Sequence, residues 1–231
     1  MGCNTSSCFF CEPDRSRILY DSKYFYVILG LGPITEGYVL LVAKQHVRSM
    51  LDLPVEMRQY YESEKNHLKH VVTKAYGPTI ITEHGRIQAC FAEDEEARDN
   101  HCFHAHQLFF PITADLRSLS KEGPFTKVFE GNSIFDLNAS LLESEEYLLF
   151  EDINGVIMIY TVRGKCPRQF MRYLVARSIG KPELSNWAAY PQWDKIVRAK
   201  AHYQAFIPAS LSVDRLSIGD THLLEAEGLQ L

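Results

Sequence analysis

The residues best equipped for chemistry lie in the stretch His101-Cys102-Phe103-His104-Ala105-His106-Gln107-Leu108-Phe109-Phe110-Pro111. Its phenylalanines and leucine predict a strand over 102–110, and a strand alternates its side chains between two faces. His104 and His106 then point the same way. An imidazole buried on an apolar strand needs partners for its nitrogens. One reading is a pair of hydrogen-bonded core histidines; the other is a ligand or a catalyst. Two further pieces favour the second, namely Cys8-Phe9-Phe10-Cys11 and His46. A C-x-x-C pair has the spacing of a zinc knuckle, although two thiols so placed also serve redox work or simply fill a core. Joined by two imidazoles from further along the chain, the pair completes a tetrahedral set. Such a set leaves no position for water and is therefore structural.

The motifs together are similar to those of the histidine triad (HIT) superfamily of nucleotide hydrolases and transferases. Gly37-Tyr38-Val39-Leu40-Leu41-Val42-Ala43-Lys44-Gln45-His46 resembles the family's G-H-x-L-V-x-P-K-x-H. His104-Ala105-His106 with Pro111 resembles H-x-H-x-H-x-x-P, and Glu83-His84-Gly85 resembles an E-H-G of larger members. The resemblance covers 8–111. It implies zinc ligands at Cys8, Cys11, His46 and His104, a nucleophile at His106, and a nucleotide base held near the strand that begins at Tyr24 and the Leu31 region. It implies an α+β fold, a HIT-like antiparallel sheet with flanking helices, over 1–115. The segment 116–231 is expected to be an α/β C-terminal extension packed on that domain, loosely similar to the extensions of larger HIT-like proteins.

Two positions depart from the pattern. The third histidine falls on Leu108, which cannot donate a hydrogen bond to a phosphate or a leaving group. Losing one such donor costs on the order of a hundredfold in rate. Gln107 is adjacent, but on a regular strand it faces the opposite side; a bulge after His106 would turn it inward. Tyr38 replaces the usual histidine of the earlier motif. A regular strand is the expectation, since only the glutamine itself argues for a bulge.

Composition narrows the class. The net charge of −5 disfavours a surface that coats nucleic acid but leaves room for a nucleotide pocket. No apolar run approaches the roughly 20 residues that span a bilayer, and no apolar segment follows the first residues as a secretion signal would. The expectation is a cytoplasmic protein that binds neither nucleic acid nor membrane. Met1-Gly2-Cys3-Asn4-Thr5-Ser6 fits a short acylation pattern, which carries little weight beside the knuckle that follows it. The cysteines, Cys3, Cys8, Cys11, Cys90, Cys102 and Cys166, are scattered, so reduced thiols and a metal site are expected rather than a disulfide framework. Small HIT proteins are commonly dimers, so a homodimer is the expected assembly unless the second half changes it.

The elements that must position these residues follow from patterning. Strands are expected over 24–31 and 38–43 as a hairpin partnered across Gly32-Pro33. A helix starts at Asp52-Leu53-Pro54, with Met57, Tyr61, Leu68, Val71 and Val72 as its apolar stripe. A third strand runs over 78–83. The acidic stretch 92–100 reads as a solvated loop. A second hairpin turns at Asn154-Gly155 between 147–152 and 156–162, and helices are expected over 167–179 and 193–203.

Three function classes result. The first is an enzyme acting on a nucleoside phosphoester or phosphoramidate, in which a neutral imidazole, His106, attacks phosphorus and forms a nucleotidyl-histidine. His101 and His84 are candidates to stabilise the phosphate oxygens and Gln107 to supply a donor, and Lys165 and Arg168, at the start of the helix expected from 167, are candidates for the phosphate, unless they are simply solvated charges at a helix end. The second is a nucleotide-binding protein on the same fold with catalysis reduced or lost, for which Leu108 is the main support. A catalytic metal in an open site built on the histidine pair would be a third.

Overall fold

The computed structural model describes residues 8–87, 104–142 and 146–207. Eight strands form one antiparallel sheet: β1 Ile18–Asp21, β2 Phe25–Leu29, β3 Val39–Ala43, β4 Thr79–Gly85, β5 His106–Pro111, β6 Phe125–Gly131, β7 Tyr147–Glu151 and β8 Ile157–Val162. Their spatial order is β1-β2-β3-β5-β4-β7-β8-β6. Three helices accompany them, α1 Val55–Tyr76, α2 Phe170–Ser178 and α3 Trp193–Tyr203.

The central strands are buried on both faces, which is why they read as continuous apolar runs rather than as an alternation. Helix α1 covers one face with Met57, Tyr61, Leu68, Val71 and Val72. These residues recur at helical spacing and pack on Leu41, Phe109, Ile81 and Leu149. Helix α3 adds Ile196, Ala199 and Tyr203 to the same core, and the Tyr203 hydroxyl donates to the Gly37 carbonyl at 2.6 Å. The other face carries Leu40, Val42, Leu108, Phe110, Leu148 and Phe150 beneath Phe170, Met171 and Leu174 of α2.

The two halves of the chain share this sheet. β7 pairs with β4 from Ile81↔Glu151 to Gly85↔Tyr147, so residues beyond 115 extend the sheet edgewise. A β4 edge that an isolated first half would leave open is thereby used within the chain. Every pairing is antiparallel, including those of the second half, where an α/β arrangement was expected. Strands β1 and β6 have no counterpart among the patterned segments. Helix α2 begins at Phe170 rather than at Pro167, because Gln169 adopts left-handed backbone (φ 57°) and stops helical geometry from reaching further back. Among the described residues no helix is long and apolar enough to cross a membrane.

Candidate active site

The knuckle is a turn: the amides of Cys11 and Glu12 both donate to the Cys8 carbonyl, at 3.0 and 3.1 Å. It brings Cys8 and Cys11 against His46, from the loop after β3, and His104, just before β5. Cys8 Sγ lies 3.4 Å from His104 Nδ1, Cys11 Sγ lies 3.2 Å from His46 Nδ1, and the two Nδ1 atoms lie 3.3 Å apart. Cys11 Sγ to His104 Nδ1 is 3.7 Å. A tetrahedral zinc with bonds of about 2.0–2.3 Å has ligand-to-ligand edges of about 3.3–3.8 Å, so the four donors fit that ion. The far nitrogen of His104 also fits: Nε2 lies 2.5 Å from the Ala43 carbonyl and donates to it, which leaves Nδ1 as the lone pair facing the cluster.

His104 stands just outside the regular strand. The Ala105 amide donates to Val47 and the Ala105 carbonyl accepts from Ala43, so the ladder continues irregularly through this residue. Regular pairing starts at His106, opposite Val42. Nδ1 of His106 lies 2.7 Å from the His104 carbonyl and donates to it. The tautomer is thereby fixed, with Nε2 left as the bare nitrogen. Burial pushes the imidazole pKa down to about 4, with smaller contributions from the nearby His104 and His84; the bond to the His104 carbonyl opposes them. The ring is therefore neutral at physiological pH. Phe10 lies over it at 4.6 Å between ring centroids and is itself anchored by its carbonyl, which accepts from the Tyr26 hydroxyl at 2.7 Å. The knuckle therefore supplies a wall of the site as well as two thiols. Nothing in the residue types of Phe9 and Phe10 alone distinguished the one that does this.

The register of β5 is regular against both neighbours, with Leu108 opposite Leu40 and Thr82. Gln107 consequently points to the α1 face. There its Nε2 donates to Glu83 Oε2 at 3.1 Å, and Glu83 also accepts from the Met50 amide and the Tyr147 hydroxyl. The bulge that would have turned Gln107 inward is absent, and Gln107 is separated by the sheet from Nε2 of His106. Leu108 is on the same face as His106 but belongs to the core, in company with Leu40 and Phe110. Tyr38, the other departure, stacks on Phe110, and the Arg172 guanidinium lies 5.1 Å from its ring centroid.

His84, on β4, shares the face of His106. Its Nε2 lies 2.6 Å from Glu146 Oε1, and Cys166 closes the same cluster. Burial pushes the Cys166 thiol up to about 12, so it stays protonated. Lys165 and Arg168 flank Cys166 in the segment leading to α2, Lys165 exposed and Arg168 partly so. The side chains of β2, which the resemblance associates with the base, are all buried within the sheet. His101 lies outside the described residues.

Residues 13–106 match the HIT domain model. Over that segment the chain is similar to the histidine triad superfamily. A zinc finger CCCH domain-containing protein of Oryza sativa is 24% identical over 208 residues, which are 79% of this chain and 31% of the relative. An adenosine 5'-monophosphoramidase of Saccharomyces cerevisiae is 34% identical over 55 residues, 22% of this chain and 35% of the relative. The chain thus spans about a third of the length of each of these two relatives. Among solved structures, a zinc-bound histidine triad family protein from Mycobacterium smegmatis is 21% identical with a TM-score of 0.34, covering 49% of this chain and 81% of its own. A HIT-like protein from Bartonella henselae is 20% identical with a TM-score of 0.31, covering 41% of this chain and 65% of its own.

Proposed function

We infer that this protein is a HIT-type nucleotide hydrolase or nucleotidyltransferase that works through a nucleotidyl-His106 intermediate. The observation that carries the reading is the 2.7 Å bond from His106 Nδ1 to the His104 carbonyl. It commits the ring to one tautomer and turns Nε2 toward substrate. Nε2 attacks phosphorus, the bond to the leaving group breaks, and the nucleotidyl group rests on His106 until water or another acceptor displaces it. The substrate class is a nucleoside phosphoester or phosphoramidate. The relative named as a monophosphoramidase makes adenosine 5'-phosphoramidate the first compound to test.

Cys8, Cys11, His46 and His104 hold a structural zinc in this reading. The ion supplies rigidity: it locks the knuckle to the strand that carries His106, with no position left for substrate. His104 passes that rigidity on through its own carbonyl, the one that orients His106. Lys165 and Arg168 are assigned to the phosphate, and the protein acts on a small-molecule nucleotide.

Intact-mass spectrometry after exposure to adenosine 5'-phosphoramidate tests the reading. A mass increase of one adenylyl group, lost in His106→Asn, is the expected result. Absence of the adduct together with stoichiometric nucleotide binding would favour the second reading, a nucleotide-binding module. The placement of Leu108 within the apolar core is the observation that favours it.

A further inference from the structure

We propose that His84, oriented by Glu146, is the proton donor to the leaving group in this site. The inference rests on the reading that His106 is the nucleophile. A phosphorus–nitrogen or phosphorus–oxygen bond that breaks toward a basic leaving group needs a proton at that group in the transition state. Strand β5 has no donor to offer on the reacting face, since Leu108 is apolar and Gln107 is on the other side. The neighbouring strand has one.

The register places it. Thr82 of β4 is opposite Leu108 of β5 in an antiparallel pair. Two residues further along each strand, in opposite directions, bring His84 across from His106 on the same face. Its side chain is only 10% exposed, and its two nitrogens are treated differently. Nε2 is held at 2.6 Å by the Glu146 carboxylate. Nδ1 is buried and has no hydrogen-bond partner among the described residues. A buried, unpaired imidazole nitrogen is costly unless a further group completes it, and the heteroatom of a leaving group is the partner that this position fits.

The proton balance follows. His84 starts as the imidazolium, with Nε2–H donated to Glu146 and Nδ1–H directed at the substrate. As the His106 Nε2 lone pair forms the bond to phosphorus, the electron pair of the breaking bond goes to the leaving nitrogen or oxygen. That atom takes the Nδ1 proton and departs as neutral amine or alcohol. His84 is left neutral, with its remaining proton still on Nε2 and shared with Glu146. In the second half, water gives its proton back to Nδ1 as its oxygen attacks phosphorus, and the bonding pair returns to His106. Glu146 touches no reacting atom; it is a positioning residue that determines which nitrogen exchanges its proton. Cys166 lies in the same cluster.

The experiment compares leaving groups on one nucleotide in the full-length protein. The substrates are adenosine 5'-phosphoramidate, whose amine must be protonated, and a series of adenosine 5'-phosphate aryl esters of graded leaving-group acidity ending at p-nitrophenyl, which departs as a stable anion. With the wild type, kcat/KM should depend shallowly on leaving-group pKa. His84→Gln should lose on the order of a hundredfold on the phosphoramidate and only a few-fold on the p-nitrophenyl ester, while still forming the His106 adduct from that ester. Glu146→Gln should show the same selectivity with a smaller loss. A steep dependence in the wild type overturns the proposal without recourse to any variant, as does an equal loss on both leaving groups or no loss on either. If the wild type forms no adduct from any substrate, the nucleophile reading itself falls, and the donor falls with it.

Discussion

His104 does two jobs with one residue: Nδ1 faces the thiols, while the backbone carbonyl receives the proton of His106. Substitution should separate them. His106→Asn should abolish the adenylyl adduct and leave the melting temperature and zinc content unchanged, whereas His104→Ala should lower both, as followed by intact mass, calorimetry and elemental analysis. One zinc per chain is the expected stoichiometry of native protein. Cys8→Ser should reduce it and destabilise the fold more than it slows the chemical step, because a closed site contributes folding free energy. Retention of full stability after chelation would count against a structural metal. At this scale the sequence was informative where residue type and spacing together restrict chemistry, as in Cys8-x-x-Cys11 and His104-x-His106. It was silent on Phe10, Glu146 and Cys166. Glu146 reaches His84 across 62 positions of chain, and no local pattern encodes such a meeting.

Strand β5 separates two chemistries by alternation alone: His106 and Leu108 on the α2 face, Gln107 and Phe109 on the α1 face. Gln107→Ala should therefore disturb the Glu83 cluster and stability, with little effect on formation of the His106 adduct. Leu108→His should place an imidazole in the apolar core and cost on the order of 1–3 kcal/mol, without raising turnover, since the proton donor already sits on β4. A rise in phosphoramidate hydrolysis in that variant would contradict both statements. The same alternation on β4 buries Glu83, and burial pushes its pKa from 4.5 up to about 7, against the three donors that favour its charged form. The sign is that of an acid held protonated by the fold. Between 4.5 and about 7 the folded state carries a proton that the unfolded chain has released, so this residue makes stability fall as pH rises through that window. The swing is on the order of 3–4 kcal/mol. Urea unfolding of wild type and Glu83→Gln across the window should show the slope in the first and its loss in the second. The glycine that follows this pair has a steric reason: a Cβ on Gly85 would come within 2.2 Å of Tyr147 Cζ, the ring whose hydroxyl donates to Glu83. Element types were legible from apolar runs and turn residues, as at Pro54 before α1 and Gly155 between β7 and β8. Strands β1 and β6 were not: β1 is only four residues long, and β6 has an exposed, polar outer half and shifts register between Lys127 and Phe129.

At the scale of the whole molecule, the two halves are joined by more than a ladder. Lys65 sits within the apolar stripe of α1, where a charge would be costly alone. Its Nζ lies 3.0 Å from Glu151 Oε2 on β7, Glu151 is 2% exposed, and Lys69 donates to the same carboxylate at 2.7 Å. The stripe was visible from spacing, but the lysine inside it had no explanation until a residue 86 positions away supplied one. Removing one member of a buried pair strands the other, so Glu151→Gln should destabilise by about 3–5 kcal/mol. Breaking the exposed Arg198–Glu36 pair should have no measurable effect. A fragment ending at residue 115 would lose Glu151, the β7 partner of β4, and the α2 side chains that cover Leu40, Leu108 and Phe110. It would expose an unpaired strand edge next to an apolar sheet face, the combination that recruits other chains. We expect that fragment to aggregate or to unfold without a cooperative transition, and the full chain to melt as one unit. A monomeric fragment with a sharp transition by calorimetry would show instead that the first half closes its own core, and that the second half matters to the site through Glu146 rather than to the fold.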